Sequence, residues 1–396
     1  MLNTLQHNSK VRKALKSQRQ FNRLFRILSS LLLTIMFFMQ ACSDDDDPSG
    51  ETTGTFKVVG RDLTDPCGAT VLLKGVNKMS VWDEQDVYGS AYFPEIAKTN
   101  SNCVRIVWRM TYSNGAPTVL SQLDSLIKNC IKNKMIPMVE MHDATCLWEK
   151  LDDVVDYWTS PGMVEIIQRY EHTLLVNIAN EAGDDNVTEA QFLAGYKSAI
   201  TQMRNAGIRT PLIIDAKGCG KDLDVLVPTA PQLIGHDPDH NLMFSVHPYW
   251  SKLDILTVQP TFIKDQLKKA ADNNIPLILG ELCGYGGWPG EGEPNTASCA
   301  EKGAIDYETL LAEAAANNIG YLAWEWGPGN GFYEYDPPVL CPAMDITTDG
   351  TYQSVVDIAP GSKPRGWVRD VIIDSPFSIK NTAVKSQYVL NGFKCQ

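Results

Sequence analysis

Eight short apolar runs, separated by longer amphipathic stretches, constrain this sequence more than any other feature. They occupy residues 71–77, 102–108, 136–142, 174–181, 212–215, 243–249, 276–281 and 321–326. Each is short and mostly apolar, which reads as a strand covered on both faces. Between them, residues 116–133 carry Leu120, Leu123, Ile127, Cys130 and Ile131, and residues 190–205 carry Phe192, Leu193, Tyr196, Ile200 and Met203. Spacings of mostly three and four mark one face of a helix. Both stretches reach the next strand through a short link, Asn133-Lys134 and Ala206-Gly207. Eight strand–helix repeats in about 300 residues predict an α/β fold, a closed (β/α)8 barrel. The alternative is an open doubly wound sheet. The count of eight favours the barrel, as does the lack of a G-x-G-x-x-G after the first strand or a complete G-x-x-x-x-G-K-[ST]. Residues 57–59 and 71–73 flank a Gly/Asp/Pro turn region and predict a small hairpin that plugs the barrel floor. Residues 367–373 predict a last outer helix.

The first 41 residues hold seven Lys/Arg and no acid, and close on fifteen uncharged residues, 27–41. A spanning helix needs roughly 20 apolar residues, so this segment reads as a secretory signal. It ends Ala41-Cys42, which resembles the bacterial lipoprotein signal, with Cys42 as the lipidated first residue of the mature chain. Four Asp at 44–47 and a breaker-rich stretch to Gly54 follow, a tether that cannot bury a core. Acids directly after such a cysteine also resemble a surface-export signal. The expected organisation is a lipoprotein signal peptide at 1–41, an acidic flexible tether at 42–54 and one barrel domain with its hairpin at 55–396. The expected location is the outer membrane, at the cell surface, with Cys42 as the lipid anchor.

Beyond the leader the chain carries 28 basic and 47 acidic side chains, a formal charge of −19. A body this acidic repels phosphate backbones, which argues against a nucleic-acid partner, whereas a neutral substrate meets no such barrier. Nine cysteines follow Cys42. Export permits disulfides, but nine is odd and the pairing stays open. No C-x-x-C spacing occurs, so a zinc ribbon is not expected. Cys103, inside an apolar run, reads as a buried thiol.

Barrel chemistry takes place at the carboxyl ends of the strands. There the runs carry Arg105, His142-Asp143, Asn180-Glu181, His247 with Tyr249, Glu281, and Trp324 with Trp326. Taken singly, a terminal Glu is ordinarily a solvated rim residue, a strand His a satisfied core group, a strand Arg the answer to a structural carboxylate, and a Trp packing. Their arrival at one rim points instead to a site. Two carboxylates at opposed strand ends suit the splitting of a glycosidic bond, one protonated to assist the leaving oxygen and one ionised to attack the anomeric carbon. Arg105 would hold Glu281 charged, Tyr249 would donate a hydrogen bond to it, and a negative neighbour would keep Glu181 protonated.

With these pieces in order and suitably spaced from about residue 56 to 386, the chain resembles glycoside hydrolase family 5. Within it, the nearest resemblance is to bacterial endo-β-1,4-mannanases, carried above all by His142-Asp143-Ala144-Thr145 and Asn177-Ile178-Ala179-Asn180-Glu181. The resemblance implies double displacement with retention of configuration. Glu281 matches the nucleophile and Glu181 the acid/base. Asn180 matches the residue that bonds the sugar 2-hydroxyl. Arg105, His142, His247 and Tyr249 match the polar shell around the nucleophile, and Trp324 the aromatic floor under the sugar. No cofactor or metal is implied. The implied partner is a β-linked polysaccharide, mannan or glucan, and the protein is expected to work as a monomer. Residues 182–185 and 283–289 depart from the family pattern in loops that shape subsites, so an endo-β-1,4-glucanase remains an alternative. A non-catalytic surface glycan binder is a further alternative of another class. Trp82, Trp108, Trp148, Trp250 and Trp288 are candidate sugar platforms, of which two or three are expected to face the cleft.

Overall fold

A computed structural model describes residues 54–252, 255–285, 304–328, 344–362 and 365–395. The leader, most of the tether with Cys42, and Trp288 lie outside the described residues. Lys57–Val59 (β1), Asp62–Thr64 (β2) and Thr70–Val71 (β3) form a small antiparallel sheet. The barrel strands follow as Lys74–Lys78 (β4), Cys103–Trp108 (β5), Ile136–Met141 (β6), Leu175–Asn177 (β7), Leu212–Asp215 (β8), Leu242–Val246 (β9), Leu277–Leu282 (β10) and Gly320–Ala323 (β11). They close as β10-β11-β4-β5-β6-β7-β8-β9, every neighbouring pair parallel. The (β/α)8 barrel is therefore the fold. Every residue of β5, β6 and β10 is buried, which is why these strands read as continuous apolar runs rather than alternating ones.

The helices pack on the outside as their spacing predicts. Leu120–Lys132 turns Leu123, Leu126, Ile127 and Cys130 inward. Glu189–Asn205 starts at Thr188, whose side chain accepts from the Gln191 N–H while the Gln191 side chain accepts from the Thr188 N–H. Returns to the barrel reuse one device. Asn100, Lys134, Gly207, His240, Asn274 and Asn318 all take left-handed backbone shortly before a strand. One such residue ends a helical segment and reverses the chain, and Asn tolerates it better than most side chains.

The N-terminal segment differs from the expected hairpin. β2, not residues 71–73, pairs with β1, and β3 adds to β2 as a third strand. The cause is local: the Asp65 carboxylate accepts from the Cys67 and Ala69 N–H groups, both at 3.0 Å, and turns the chain. The sheet does close the barrel floor. Phe56, Leu63 and Leu73 are buried in one cluster with Ile136, Leu175 and Ile278 from the barrel strands and with Tyr388 and Phe393 from the C-terminal tail. Phe56 and Phe393 each meet Tyr388 edge-on, at 5.8 and 5.5 Å between ring centroids. The Cys67–Cys395 disulfide ties the two ends together across 328 positions. Residues 366–374 form the helical segment expected from the tail.

Cross-linking such distant positions restricts the unfolded chain, so C67S/C395S should lose about 2–4 kcal/mol of stability. Its distance from the strands' carboxyl ends predicts unchanged hydrolytic activity. Urea unfolding and a rate assay check both parts.

Candidate active site

The site is organised around Arg105 of β5, which is fully buried. A buried guanidinium needs partners for all five N–H groups, and Arg105 has them. Nε donates to Asn177 Oδ1 at 2.8 Å. Nη1 donates to Asn77 Oδ1 at 3.0 Å and Glu281 Oε1 at 2.9 Å. Nη2 donates to Asn180 Oδ1 at 2.7 Å and Asp215 Oδ2 at 3.4 Å. Burial works against its charge, but Glu140, Asp215 and Glu281 outweigh that cost and raise its pKa, so the cation is permanent.

Glu281, in β10, is held from both sides. Arg105 engages Oε1, and the Tyr249 hydroxyl donates to Oε2 at 2.7 Å. Both contacts were expected from the sequence. Asn180 and Glu181 depart from expectation in backbone rather than place: the strand stops at Asn177, so they are not strand residues. The Asn180 N–H donates to Met141 O at 2.8 Å, and Glu181 takes left-handed backbone at φ 47°. Such a conformation costs a non-glycine residue about 1–3 kcal/mol. Here the Glu181 N–H donates to Asp215 Oδ2 at 3.1 Å and its carbonyl accepts from the Cys146 N–H at 3.0 Å.

Glu181, His247 and Glu281 each offer an atom lying within 4.8 Å of the others. Glu181 meets a partner that the sequence reading did not assign to it: His247 Nδ1 is 2.8 Å from Glu181 Oε1 and 3.5 Å from Glu281 Oε1. Burial disfavours charge on this ring, yet Glu281, Asp215 and Glu181 together push its pKa up to about 9. Negative charge around Glu181 is thus shared with an imidazole that can hold a proton itself. The same three side chains have the spacing of a cation site. Arg105 and Tyr249 already occupy the Glu281 oxygens, however, so the donor set fits a metal poorly.

His142 follows β6, and its Nδ1 lies 2.8 Å from Glu140 Oε1. Burial opposes charge here too, but Glu140 raises the His142 pKa. The His142 ring stacks on Trp324, at 5.9 Å between centroids and 17° between planes, and Trp82 meets it edge-on at 5.4 Å. Arg105, His142, Asn180, Glu181, His247, Tyr249, Glu281 and Trp324 are thus linked in one connected site. Among the proposed platforms, Trp108 and Trp250 are buried and Trp148 packs against Phe192 and Tyr196. Of the platforms within the described residues, only Trp82 is beside the site.

Four further site residues lie inside the apolar runs and were assigned no role from the sequence: Asn77, Glu140, Asn177 and Asp215. All are fully buried. The available signal was a polar side chain inside an otherwise apolar run, because an interior strand carries one only where it has a partner.

The raised His247 pKa has a definite consequence for stability. The folded state holds this proton more tightly than an unfolded chain with a pKa near 6.5, so the stabilisation is full below that pH and disappears as pH rises through about 9. Urea unfolding across that interval should show stability falling in the wild type and a flatter profile in His247→Gln. Identical profiles would remove His247 as the cause.

A family model described as Cellulase (glycosyl hydrolase family 5) matches residues 64–330. The chain is 28% identical over 308 residues to a mannan endo-1,4-beta-mannosidase of Salipaludibacillus agaradhaerens, covering 76% of this chain and 88% of that protein. It is 30% identical over 277 residues to the mannan endo-1,4-beta-mannosidase of Streptomyces lividans, covering 68% of this chain and 65% of that protein. Among solved structures, the beta-mannanase from Streptomyces thermolilacinus superposes with a TM-score of 0.67 at 25% identity, over 85% of this chain and 100% of that one. With two carboxylates converging at the mouth of the barrel, the chain belongs to the cellulase family, glycosyl hydrolase family 5, and is a mannanase-like glycosidase.

Proposed function

We propose that the protein is a retaining endo-β-1,4-mannanase, with Glu281 as nucleophile and Glu181 as acid/base. The observation that carries this reading is the approach of the two carboxylates, with an oxygen of each within 4.8 Å of the other. Retention needs carboxyl groups about 5–5.5 Å apart, whereas inversion needs space for a water between them.

In the first step a Glu281 oxygen bonds to the anomeric carbon as the glycosidic C–O bond breaks, and Glu181 passes its proton to the departing oxygen. In the second, Glu181 takes a proton from water, whose oxygen attacks the same carbon and frees Glu281. Arg105 and Tyr249 each hold one Glu281 oxygen and keep the carboxylate aimed before attack. Negative charge moves from Glu281 to Glu181 during the first step. His247 Nδ1 is within reach of both, at 3.5 and 2.8 Å, so one hydrogen bond can follow that charge. Asn180 is oriented by Arg105 and by its own bond to Thr145 Oγ1, at 2.9 Å, which leaves one amide hydrogen for a sugar hydroxyl. Trp324, backed by His142, offers an indole as the floor under the pyranose.

Preference for mannan rests on the relatives, which carry mannosidase names. Initial rates on galactomannan, glucomannan and carboxymethylcellulose test it. The expected order places the mannans first, and a highest rate on carboxymethylcellulose would make the enzyme a glucanase. Glu281→Gln should abolish release of reducing sugar. No release by the wild type on any β-glycan would favour a glycan-binding protein. Glu181→Ala should lose about 10²–10⁴-fold on polymer. It should lose far less on a dinitrophenyl glycoside, whose leaving group needs no proton, and equal losses would remove Glu181 from the acid role.

The reading extends to location: an exported lipoprotein of the outer membrane, anchored through Cys42. The Cys67–Cys395 and Cys146–Cys219 disulfides support an oxidising compartment. Cys42→Ala should move the protein from the membrane pellet to the soluble fraction, and persistence in the pellet would count against the anchor.

A further inference from the structure

We infer that the Cys146–Cys219 disulfide is a positioning clamp for Glu181, setting the acid/base geometry rather than only stabilising the fold. The inference rests on the acid/base role proposed for Glu181. Cys146 follows β6, Cys219 follows β8, and Glu181 lies on the loop between them that follows β7. The two cysteines are 73 positions apart in sequence and 4.7 Å apart at Cα.

Three observations converge. Cys146, Glu181 and Cys219 all have left-handed backbone, with φ of 59°, 47° and 52°. Each is a conformation that a non-glycine residue keeps only when its surroundings impose it. These residues impose it on one another. The Cys146 N–H donates to Glu181 O at 3.0 Å, the Cys219 N–H donates to Gly183 O at 2.9 Å, and the disulfide closes the circuit. Finally, the cysteine loop presses on the acid itself. A Cβ on Gly220 would be 3.0 Å from both Glu181 Cγ and Oε1, and Gly220 O accepts from the His247 N–H at 2.8 Å. The clamp therefore sets both the Glu181 carboxyl and the imidazole bonded to it. Glu281 is braced separately, by Arg105 and Tyr249.

Opening the clamp should thus harm proton transfer more than nucleophilic attack. In C146S/C219S, kcat/KM on galactomannan should fall about 10–100-fold, while kcat/KM on a dinitrophenyl β-mannobioside should fall less than about threefold. Azide, a nucleophile that needs no base, should accelerate turnover of the aryl substrate by the variant more than by the wild type. C67S/C395S is the control for general destabilisation and should not show this selectivity. Equal losses on both substrates, or no loss on either, would overturn the clamp. Glu181→Ala in parallel separates the two ideas. If it shows the selectivity and C146S/C219S does not, the clamp alone fails. If Glu181→Ala shows none, the acid assignment fails and takes the clamp with it. Should C146S/C219S not fold, a water-soluble phosphine applied to folded C67S/C395S reads the same ratio. Phosphine and water give phosphine oxide and two protein thiols, and a thiol titration reports completion.

Discussion

A fully buried guanidinium with every N–H engaged holds this site together. Arg105 reaches from β5 to Asn77 at β4, to Asn177 and Asn180 at and beyond β7, to Asp215 at β8 and to Glu281 in β10. Such a charge is tolerable only because acids surround it, and those acids are tolerable only because of the charge. Removing either partner leaves the other buried and uncompensated. The barrel wall and the chemistry thus share one electrostatic centre, and the acids gathered there raise the pKa of the His247 imidazole.

The two carboxylates at this centre are carried differently. Glu281 stays within strand β10, at a register shift bracketed by the Leu279 and Leu282 pairings with β11, and its carboxylate is braced by Arg105 and Tyr249. Glu181 has left the ladder, and its position depends on loops and on the Asp215 carboxylate under its N–H. This division fits the proposed work. A nucleophile needs one aim, whereas an acid that becomes a base has to serve a departing oxygen and then an arriving one.

Much of the barrel was legible because interior strands and outer helices are written in different periods. The runs at 212–215 and 136–142 match the observed strands almost residue for residue. The polar rim was legible because Arg105, His142, His247 and Glu281 interrupt or end apolar runs, where a charge needs a reason. What escaped was non-local or conformational. The left turn at Glu181 is set by contacts with Asp215, at the end of β8, and with Cys146, in the loop after β6. Cysteine pairs 73 and 328 positions apart have no local signature. Trp108 and Trp250 read as sugar platforms because an indole suits both a sugar and a core, and only packing decides between them.

The floor sheet gives the domain two unlike ends. Phe56 is buried among the amino ends of the barrel strands, while the carboxylates converge at the opposite rim. The floor sheet and the C-terminal residues packed with it therefore lie on the face away from the cleft. A long polymer could thus thread past the rim where the carboxylates meet without touching the sheet that seals the other end of the barrel.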